Sequence, residues 1–190
     1  DALQESNAKF TNNILQAPVA MCVFKGKKHV LEIINNLMLE LIDKNAEEVL
    51  NKPMFEGLPE AKNQGLEDLI DNVYNTGVKF VANEMPIQLP RNGKLETTYL
   101  NFVYDALKEP DGTISGVIAI ATDVTTQVLS RQKIQKNEQK VRTIVENAPF
   151  AIAVYVGEEM IIELANESII KIWGKGTDVI GKSFKEILPE

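Results

Sequence analysis

The residues that could perform chemistry are few in this 190-residue chain, which contains one histidine, His29, and one cysteine, Cys22. A serine or cysteine nucleophile would have this single imidazole as its base, and nothing in the sequence orients it. A zinc site would have to rest on carboxylates, whereas protein zinc sites are built chiefly from cysteine and histidine. We therefore predict that the chain is not an enzyme and that it holds no metal.

Composition argues against several other classes of protein. The 20 lysine and arginine residues are outnumbered by 27 aspartate and glutamate residues, and the net charge is -7. This balance argues against a surface for nucleic acids or anionic membranes. No apolar run approaches the ~18 residues of a membrane-spanning helix, and nothing near Asp1 resembles a signal peptide. With one cysteine and no intramolecular disulfide, we expect a cytoplasmic chain without direct membrane contact, whose parent protein is anchored, if at all, elsewhere.

An internal repeat organises the chain. Residues 141–190 realign on residues 10–60, and the landmarks match in order: Ala148-Pro149 on Ala17-Pro18, Gly157 on Gly26, Asn166 on Asn35, and Leu188-Pro189-Glu190 on Leu58-Pro59-Glu60. The first copy continues over residues 61–127, whereas the second copy stops where that continuation would begin. We expect an excerpt cut within a second domain; the alternative is a half-domain that another chain completes.

Hydrophobic patterns and turn residues predict one antiparallel sheet with helices against one face, an α+β class. A helix over residues 2–16 ends before Pro18, and strands over 19–24 and 29–34 form a hairpin. Asn35 and Asn36 supply the N-cap of a helix over 37–43, and a short helical turn over 46–50 and a longer helix over 65–76 follow. Strands over 79–89, 97–107 and 113–123 complete the sheet, and a long helix is predicted over 124–147.

In this order the residues resemble a PAS domain, the sensory module found repeatedly in bacterial histidine kinases. The resemblance is carried by Ala17-Pro18 before the first strand, Asn35 before a helix, the strand Tyr99-Leu-Asn-Phe-Val-Tyr104, the hairpin turn Glu109-Pro-Asp-Gly112 with Gly116 after it, and the closing Asp123-Val124-Thr125. That last triplet is similar to the aspartate–aliphatic–threonine signature through which PAS domains connect to signalling helices.

The resemblance implies a domain organisation. It implies a PAS-like five-stranded antiparallel sheet with helices on one face, a long signalling helix, and a partial second PAS domain. The corresponding boundaries are an N-terminal flanking helix at 1–16, a PAS domain at 17–125, a coiled-coil-type linker at 126–147, and the N-terminal half of a second PAS domain at 148–190.

The chemistry of PAS-containing relatives is largely missing. His29 lies in a strand-like context instead of a helix with a following acid and proline, so we interpret it as a surface hairpin residue and not as a phosphoacceptor. Cys22 lacks the Asn-Cys-Arg helix context of flavin-binding relatives, and residues 65–77 lack a haem-ligating histidine. Tyr74 is interpreted as a half-buried helix residue instead of an iron ligand. No flavin or haem is predicted; an unknown small ligand stays open.

A ligand pocket in such a domain would lie between the inner sheet face and the helices. Strand alternation places Leu100, Phe102 and Tyr104 on the core face, which makes Tyr104 a candidate polar pocket group. Met38 and Ile42 would line the helix side. The alternative is that these are ordinary core residues of a domain without a ligand, and Trp173 and Phe184 of the second copy are interpreted as core in the same way.

Asp123 and Thr125 are the candidate signal-coupling residues. A carboxylate and a hydroxyl at a strand-to-helix junction can cap the free amides of the outgoing helix and make its entry angle sensitive to the sheet. The alternative is an N-cap without a switching role. In the helix that follows, Val124, Ile134, Val141 and Val145 fit a heptad pattern that Arg131 and Glu138 interrupt, which predicts a marginal coiled coil. The alternative is a solvated connector helix.

We therefore expect a sensory or signal-relay region of a bacterial signal-transduction protein, a sensor histidine kinase of a two-component system. It would form a homodimer through the linker helix and the N-terminal helix, and its partners in the parent would be the next PAS domain and a kinase output domain. The alternatives are a ligand-free structural dimerisation module and, third, a small α+β pocket enzyme.

Overall fold

An antiparallel five-stranded sheet forms the centre of the first unit of the computed structural model, which describes residues 2–188. The spatial order is β2-β1-β5-β4-β3. The strands are β1 (Ala20–Lys25), β2 (Val30–Ile34), β3 (Phe80–Arg91), β4 (Lys94–Lys108) and β5 (Ile114–Asp123). The short turn between β3 and β4 is set by Asn92 and Gly93, which both adopt positive φ angles, 50° and 75°. The predicted sheet is confirmed, with strand ends that differ by a few residues.

Short helices cover one face of this sheet. They are α2 (Asn36–Ile42), α3 (Ala46–Val49), α4 (Met54–Gly57), a 3-10 turn (Pro59–Ala61) and α5 (Leu66–Thr76). Alternate strand residues point toward these helices and form one apolar core with them; in β4 these are Leu100, Phe102 and Tyr104. The predicted core face of β4 is confirmed.

The N-terminal helix α1 (Ala2–Leu15) lies against the opposite face of the sheet. Ile14 is buried there against Val23 and Ile33, and Met21, Leu107 and Ile118 pack around them. The sequence predicted this helix as a flanking element, without assigning it to a face of the sheet. The contact arises because Met21 and Val23 of β1 are apolar as well, which gives the sheet a second apolar face.

The second unit, Ser130–Glu190, is a smaller copy of the beginning of the first, Asp1–Leu129. After the long helix α6 (Thr125–Glu146) it contains the hairpin β6 (Ala153–Val156) and β7 (Ile161–Ala165), then α7 (Glu167–Trp173) and α8 (Phe184–Ile187). Its buried core is Ile162, Val179 and Ile187, with Trp173 partly buried beside it. Across residues 2–188, no helix is both long and apolar enough to cross a membrane.

Candidate ligand cavity and output junction

A cavity of about 80 Å³ lies between the sheet and the short helices of the first unit. Its walls are almost wholly apolar; the lining residues are Cys22, Phe24, Leu31, Ile34, Met38, Leu41, Ile42, Val49, Met54, Leu58, Leu66, Ile87, Leu89, Leu100, Phe102, Tyr104, Ala119 and Ala121. The volume is about half that of an engineered apolar cavity of about 150 Å³ that binds benzene. A ligand of a few non-hydrogen atoms fits without rearrangement.

The structure brings the three predicted pocket residues together. Met38 and Ile42 line the cavity from α2, and Tyr104 lines it from β4. Met38 and Tyr104 are buried, whereas Ile42 is partly buried. Strand alternation and helical spacing were sufficient to place them on facing surfaces. Whether they bind a ligand stays a prediction.

Tyr104 and Cys22 supply the polar atoms of the cavity wall. The Tyr104 side chain is 5% exposed, and burial, followed by the neighbouring Cys22 thiol, raises the pKa of its phenol above the ordinary value. Burial likewise raises the pKa of the Cys22 thiol. Both groups are therefore neutral at physiological pH. The cavity thus suits a neutral, mostly apolar molecule with one polar group.

His29 is not the surface residue that the sequence predicted. It lies in the turn between β1 and β2 but is only 6% exposed. Its Nε2 atom lies 2.6 Å from Oδ1 of Asp71, and its ring packs edge-on against Tyr74 at 5.6 Å between centroids. The hairpin is therefore docked onto α5. Local pattern could not show this because Asp71 lies 42 residues along the chain.

The junction between β5 and α6 contains both predicted coupling residues. Oδ1 of Asp123 accepts a hydrogen bond of 2.8 Å from the Thr125 amide, at the start of α6. The Thr125 hydroxyl, expected to cap the helix as well, instead accepts 2.9 Å from the Tyr99 amide of β4. The Tyr99 carbonyl accepts from the Val124 amide at 2.9 Å. The Val124 amide and the Thr125 hydroxyl therefore both bond to Tyr99 and continue the β4–β5 hydrogen-bond pattern beyond Asp123. These bonds hold the first turn of α6 against the sheet.

A segment of the second unit, residues 176–183, fits the letters of a phosphate-binding loop, Gly-x4-Gly-Lys-Ser. Such loops join a strand to a helix whose N-terminus faces the phosphate. Here the segment follows α7 and precedes α8, which has four residues. The Lys182 ammonium pairs with Asp178 at 2.7 Å, and the Lys182 carbonyl accepts from Ile162 at 2.9 Å. The segment is a structural loop of the repeat, and we assign it no phosphate.

The chain matches two known family models. The model described as the PAS fold matches residues 15–129, which is more than half of the chain. The model described as the PAS domain matches residues 139–190. The two matches coincide with the two copies of the internal repeat.

Solved structures with the same fold include an RNA-binding light-oxygen-voltage receptor, at 17% identity and a TM-score of 0.56, where the match covers 74% of this chain and 39% of the receptor. The PAS domain of BvgS from Bordetella pertussis matches at 15% identity and a TM-score of 0.51, covering 72% of this chain and 98% of that domain. A sensory box sensor histidine kinase from Vibrio cholerae matches at 22% identity and a TM-score of 0.46, covering 65% and 96%. At these identities the two matches with TM-scores above 0.5 show the fold alone.

Proposed function

Since this chain belongs to the PAS family, we propose that its first unit is a sensory module that binds a small neutral ligand and passes a conformational signal to α6. The ligand is apolar apart from one group that hydrogen-bonds to Tyr104. Asp123 and Thr125 form the output junction. No flavin or haem takes part in this proposal, because Cys22 lies in a strand and α5 carries no histidine.

The observation that carries the proposal is the apolar cavity between the sheet and the short helices, with Tyr104 in its wall. An apolar cavity with one convergent polar side chain is typical of a small-molecule site. A ligand whose single polar group hydrogen-bonds to the Tyr104 hydroxyl would be bound specifically, while its apolar body fills the rest of the cavity.

The parent of this region, in this proposal, is a bacterial sensor histidine kinase of a two-component system. This region is not an enzyme and works in the cytoplasm. It forms a homodimer through α6 and α1, and its signal passes to the next PAS domain and then to the kinase output domain. The support is the tandem of PAS units joined by a long helix.

The test uses the full 190-residue chain and two probes, isobutanol and xenon. NMR spectroscopy measures the binding of each probe. Isobutanol combines an apolar body with one hydroxyl, and xenon is wholly apolar. Both probes should shift the resonances of Leu41 and Tyr104. In the Tyr104→Phe variant, isobutanol should bind about 2- to 10-fold more weakly, as expected for one lost hydrogen bond, while xenon binding stays unchanged.

Native and denaturing mass spectra of the same chain provide a second readout. A small mass that is lost on denaturation would identify the natural ligand. If neither probe binds and the spectra show only the protein, the proposal is wrong. The small cavity then favours the second candidate, a ligand-free structural dimerisation module.

A further inference from the structure

The side chain of Gln64 joins the helical wall of the cavity to its sheet wall. Gln64 lies in the loop of residues 62–65, between the 3-10 turn and α5. Its Oε1 atom accepts from the Gln88 amide of β3 at 2.7 Å, and its Nε2 atom donates to the Gln88 carbonyl at 2.9 Å. The same nitrogen donates to the Glu60 carbonyl at 2.8 Å. One side-chain amide thus bonds to β3 as a neighbouring strand would.

The outer edge of β3 explains why the bonds are made to Gln88. β3 is the last strand of the sheet, and its pairing with β4 is regular from Met85 to Arg91. The main-chain groups of alternate residues point to opposite sides of a strand, and those of Gln88 point away from β4. Pro86 and Pro90 share this orientation, but proline has no N–H group. The Gln88 amide is therefore the outward-pointing donor of this stretch, and Gln64 satisfies it.

These bonds cross the seam where the two walls of the cavity meet. Cavity-lining residues lie on both sides of the seam: Leu58 and Leu66 on the helical side, and Ile87 and Leu89 on the β3 side. Ile87 and Leu89 are the direct neighbours of Gln88 in the chain. Both bonds between Gln64 and Gln88 are exposed, so solvent lies directly outside the seam. The cavity and the solvent are thus separated at this point by the Gln64 contact and the apolar side chains beneath it.

The loop of residues 62–65 can leave β3 at low cost. Water replaces Gln64 at the exposed Gln88 groups when the bonds break, so each bond contributes little net free energy. Asn63 and Gly65, on either side of Gln64, adopt positive φ angles of 61° and 82°. Within residues 2–188, no atom apart from the chain neighbours of Gly65 lies within 4 Å of the place that a side chain there would occupy. The loop therefore has free space to move into.

We propose that Gln64 is the latch of a gate through which small molecules enter and leave the cavity. When Gln64 releases Gln88, the loop moves away from β3 and the cavity opens to solvent. A gate of this kind changes the rates of entry and exit by the same factor and leaves the affinity unchanged, because affinity is the ratio of the two rates. The role as a ligand gate rests on the proposed ligand cavity. The opening itself is a property of the fold and is measurable without a natural ligand.

Cys22 is a built-in reporter of this opening. It is the one cysteine of the chain, it lines the cavity, and it is 4% exposed. Burial raises the pKa of its thiol, so the reactive thiolate forms when solvent reaches it. The experiment follows labelling of Cys22 by methyl methanethiosulfonate in the full chain, with mass spectrometry, across a series of urea concentrations. Local opening exposes little surface and depends weakly on urea, whereas labelling through global unfolding depends on it steeply.

Gln64→Met is the test variant, because methionine has a similar length and no amide. We expect Cys22 labelling at low urea to become about tenfold faster, which corresponds to about 1.4 kcal/mol and is the size expected for two exposed hydrogen bonds. The faster labelling should depend weakly on urea. Gln64→Glu should also label faster, since one carboxylate oxygen still accepts from the Gln88 amide but the other repels the Gln88 carbonyl.

Two control variants separate the gate from other effects. Gln88→Met makes the same chemical change in the partner residue but keeps the main-chain groups that Gln64 binds. Ile14→Val removes a buried methylene on the opposite face of the sheet and lowers global stability by a comparable amount. Both controls should label at low urea within about twofold of the parent chain.

Isobutanol provides the ligand arm. In Gln64→Met its association and dissociation rates, measured by NMR relaxation dispersion, should both rise about tenfold, while its affinity stays within about threefold of the parent value. If Gln64→Met accelerates labelling with a weak urea dependence but isobutanol binds to neither protein, the gate stands and the ligand proposal fails. If Gln64→Met labels no faster than Gln88→Met, or if its labelling depends on urea as steeply as global unfolding does, the latch role of Gln64 is wrong, whether or not isobutanol binds.

Discussion

At the scale of single residues, the Asn35 side chain connects three elements of the first unit through hydrogen bonds. Its side-chain oxygen accepts from the amides of Met21 and Met38, both at 3.0 Å. Its side-chain nitrogen lies within hydrogen-bonding distance of three carbonyls, those of Ile14, Ala17 and Val19, at 2.7–3.4 Å. One side chain that is 1% exposed thus joins the end of α1, the start of β1 and the start of α2.

We expect Asn35→Ala to lower the free energy of unfolding by about 2–4 kcal/mol, because it removes a helix cap and leaves buried backbone groups without partners. Urea unfolding followed by circular dichroism measures the change. Asn36→Ala is the control, since Asn36 is the exposed neighbour in the same helix turn. A result for Asn35→Ala within about 0.5 kcal/mol of that control would contradict this role.

Sequence reasoning predicted the part of this role that is local. Asn35 was predicted as an N-cap from the apolar pattern that follows it, and the bond to Met38 confirms this. The contacts to residues 14–21 depend on how α1 returns onto the sheet, which local pattern does not contain. Sequence reasoning also failed for His29, which it predicted to be exposed in a turn. His29 is buried because it contacts Asp71 of α5, which lies far along the chain. In the second unit Asn166 repeats the arrangement, with bonds to the Val145, Ala148 and Phe150 carbonyls. The match of Asn166 on Asn35 in the internal repeat was therefore the sequence feature that could have predicted a shared role for these two residues.

At the scale of elements, a half-buried ion pair fixes the end of α2 against the 3-10 turn. Nζ of Lys44 lies 2.9 Å from Oε1 of Glu60. Burial acts to raise the pKa of the Glu60 carboxyl, but the hydrogen bond and the charge of Lys44 outweigh it, so the pKa lies below its ordinary value of 4.5. A pKa that is lower in the folded chain than in the unfolded chain means that the ionised carboxylate stabilises the fold.

We therefore expect Glu60→Gln to cost about 1 kcal/mol at pH 7, a modest value because the pair is partly exposed to water. The difference from the parent chain should be fully present above the unfolded pKa and should shrink as the pH falls through the lower folded pKa. Urea unfolding of both proteins at pH 7 and at pH 3 measures it. Glu56→Gln, at an exposed residue of α4, is the control; an equal loss of stability in the two variants at pH 7 would contradict the assignment.

At the scale of the whole molecule, α6 exposes apolar side chains that no other part of residues 2–188 covers. Every residue from Ser130 to Ile144 is exposed, including Ile134 at 58% and Val141 at 57%. These two residues are seven apart and fall on one heptad position, as the sequence predicted. A solvated helix with so few apolar contacts is only marginally stable in water. Pairing with a second copy would supply the missing apolar contacts. This is the physical support for the proposed homodimer.

The corresponding variant is the double substitution Ile134→Lys with Val141→Lys. Two like charges on each heptad surface should weaken self-association at least about tenfold, because they replace apolar contacts with repulsion. Sedimentation velocity across a concentration series measures the change, with a dimer expected for the parent chain. Gln132→Lys with Gln139→Lys adds the same charge two positions before each heptad residue and should remain dimeric. If both double variants sediment alike, α6 does not form the dimer. The proposal that the first unit passes its signal to a paired α6 helix would then be wrong.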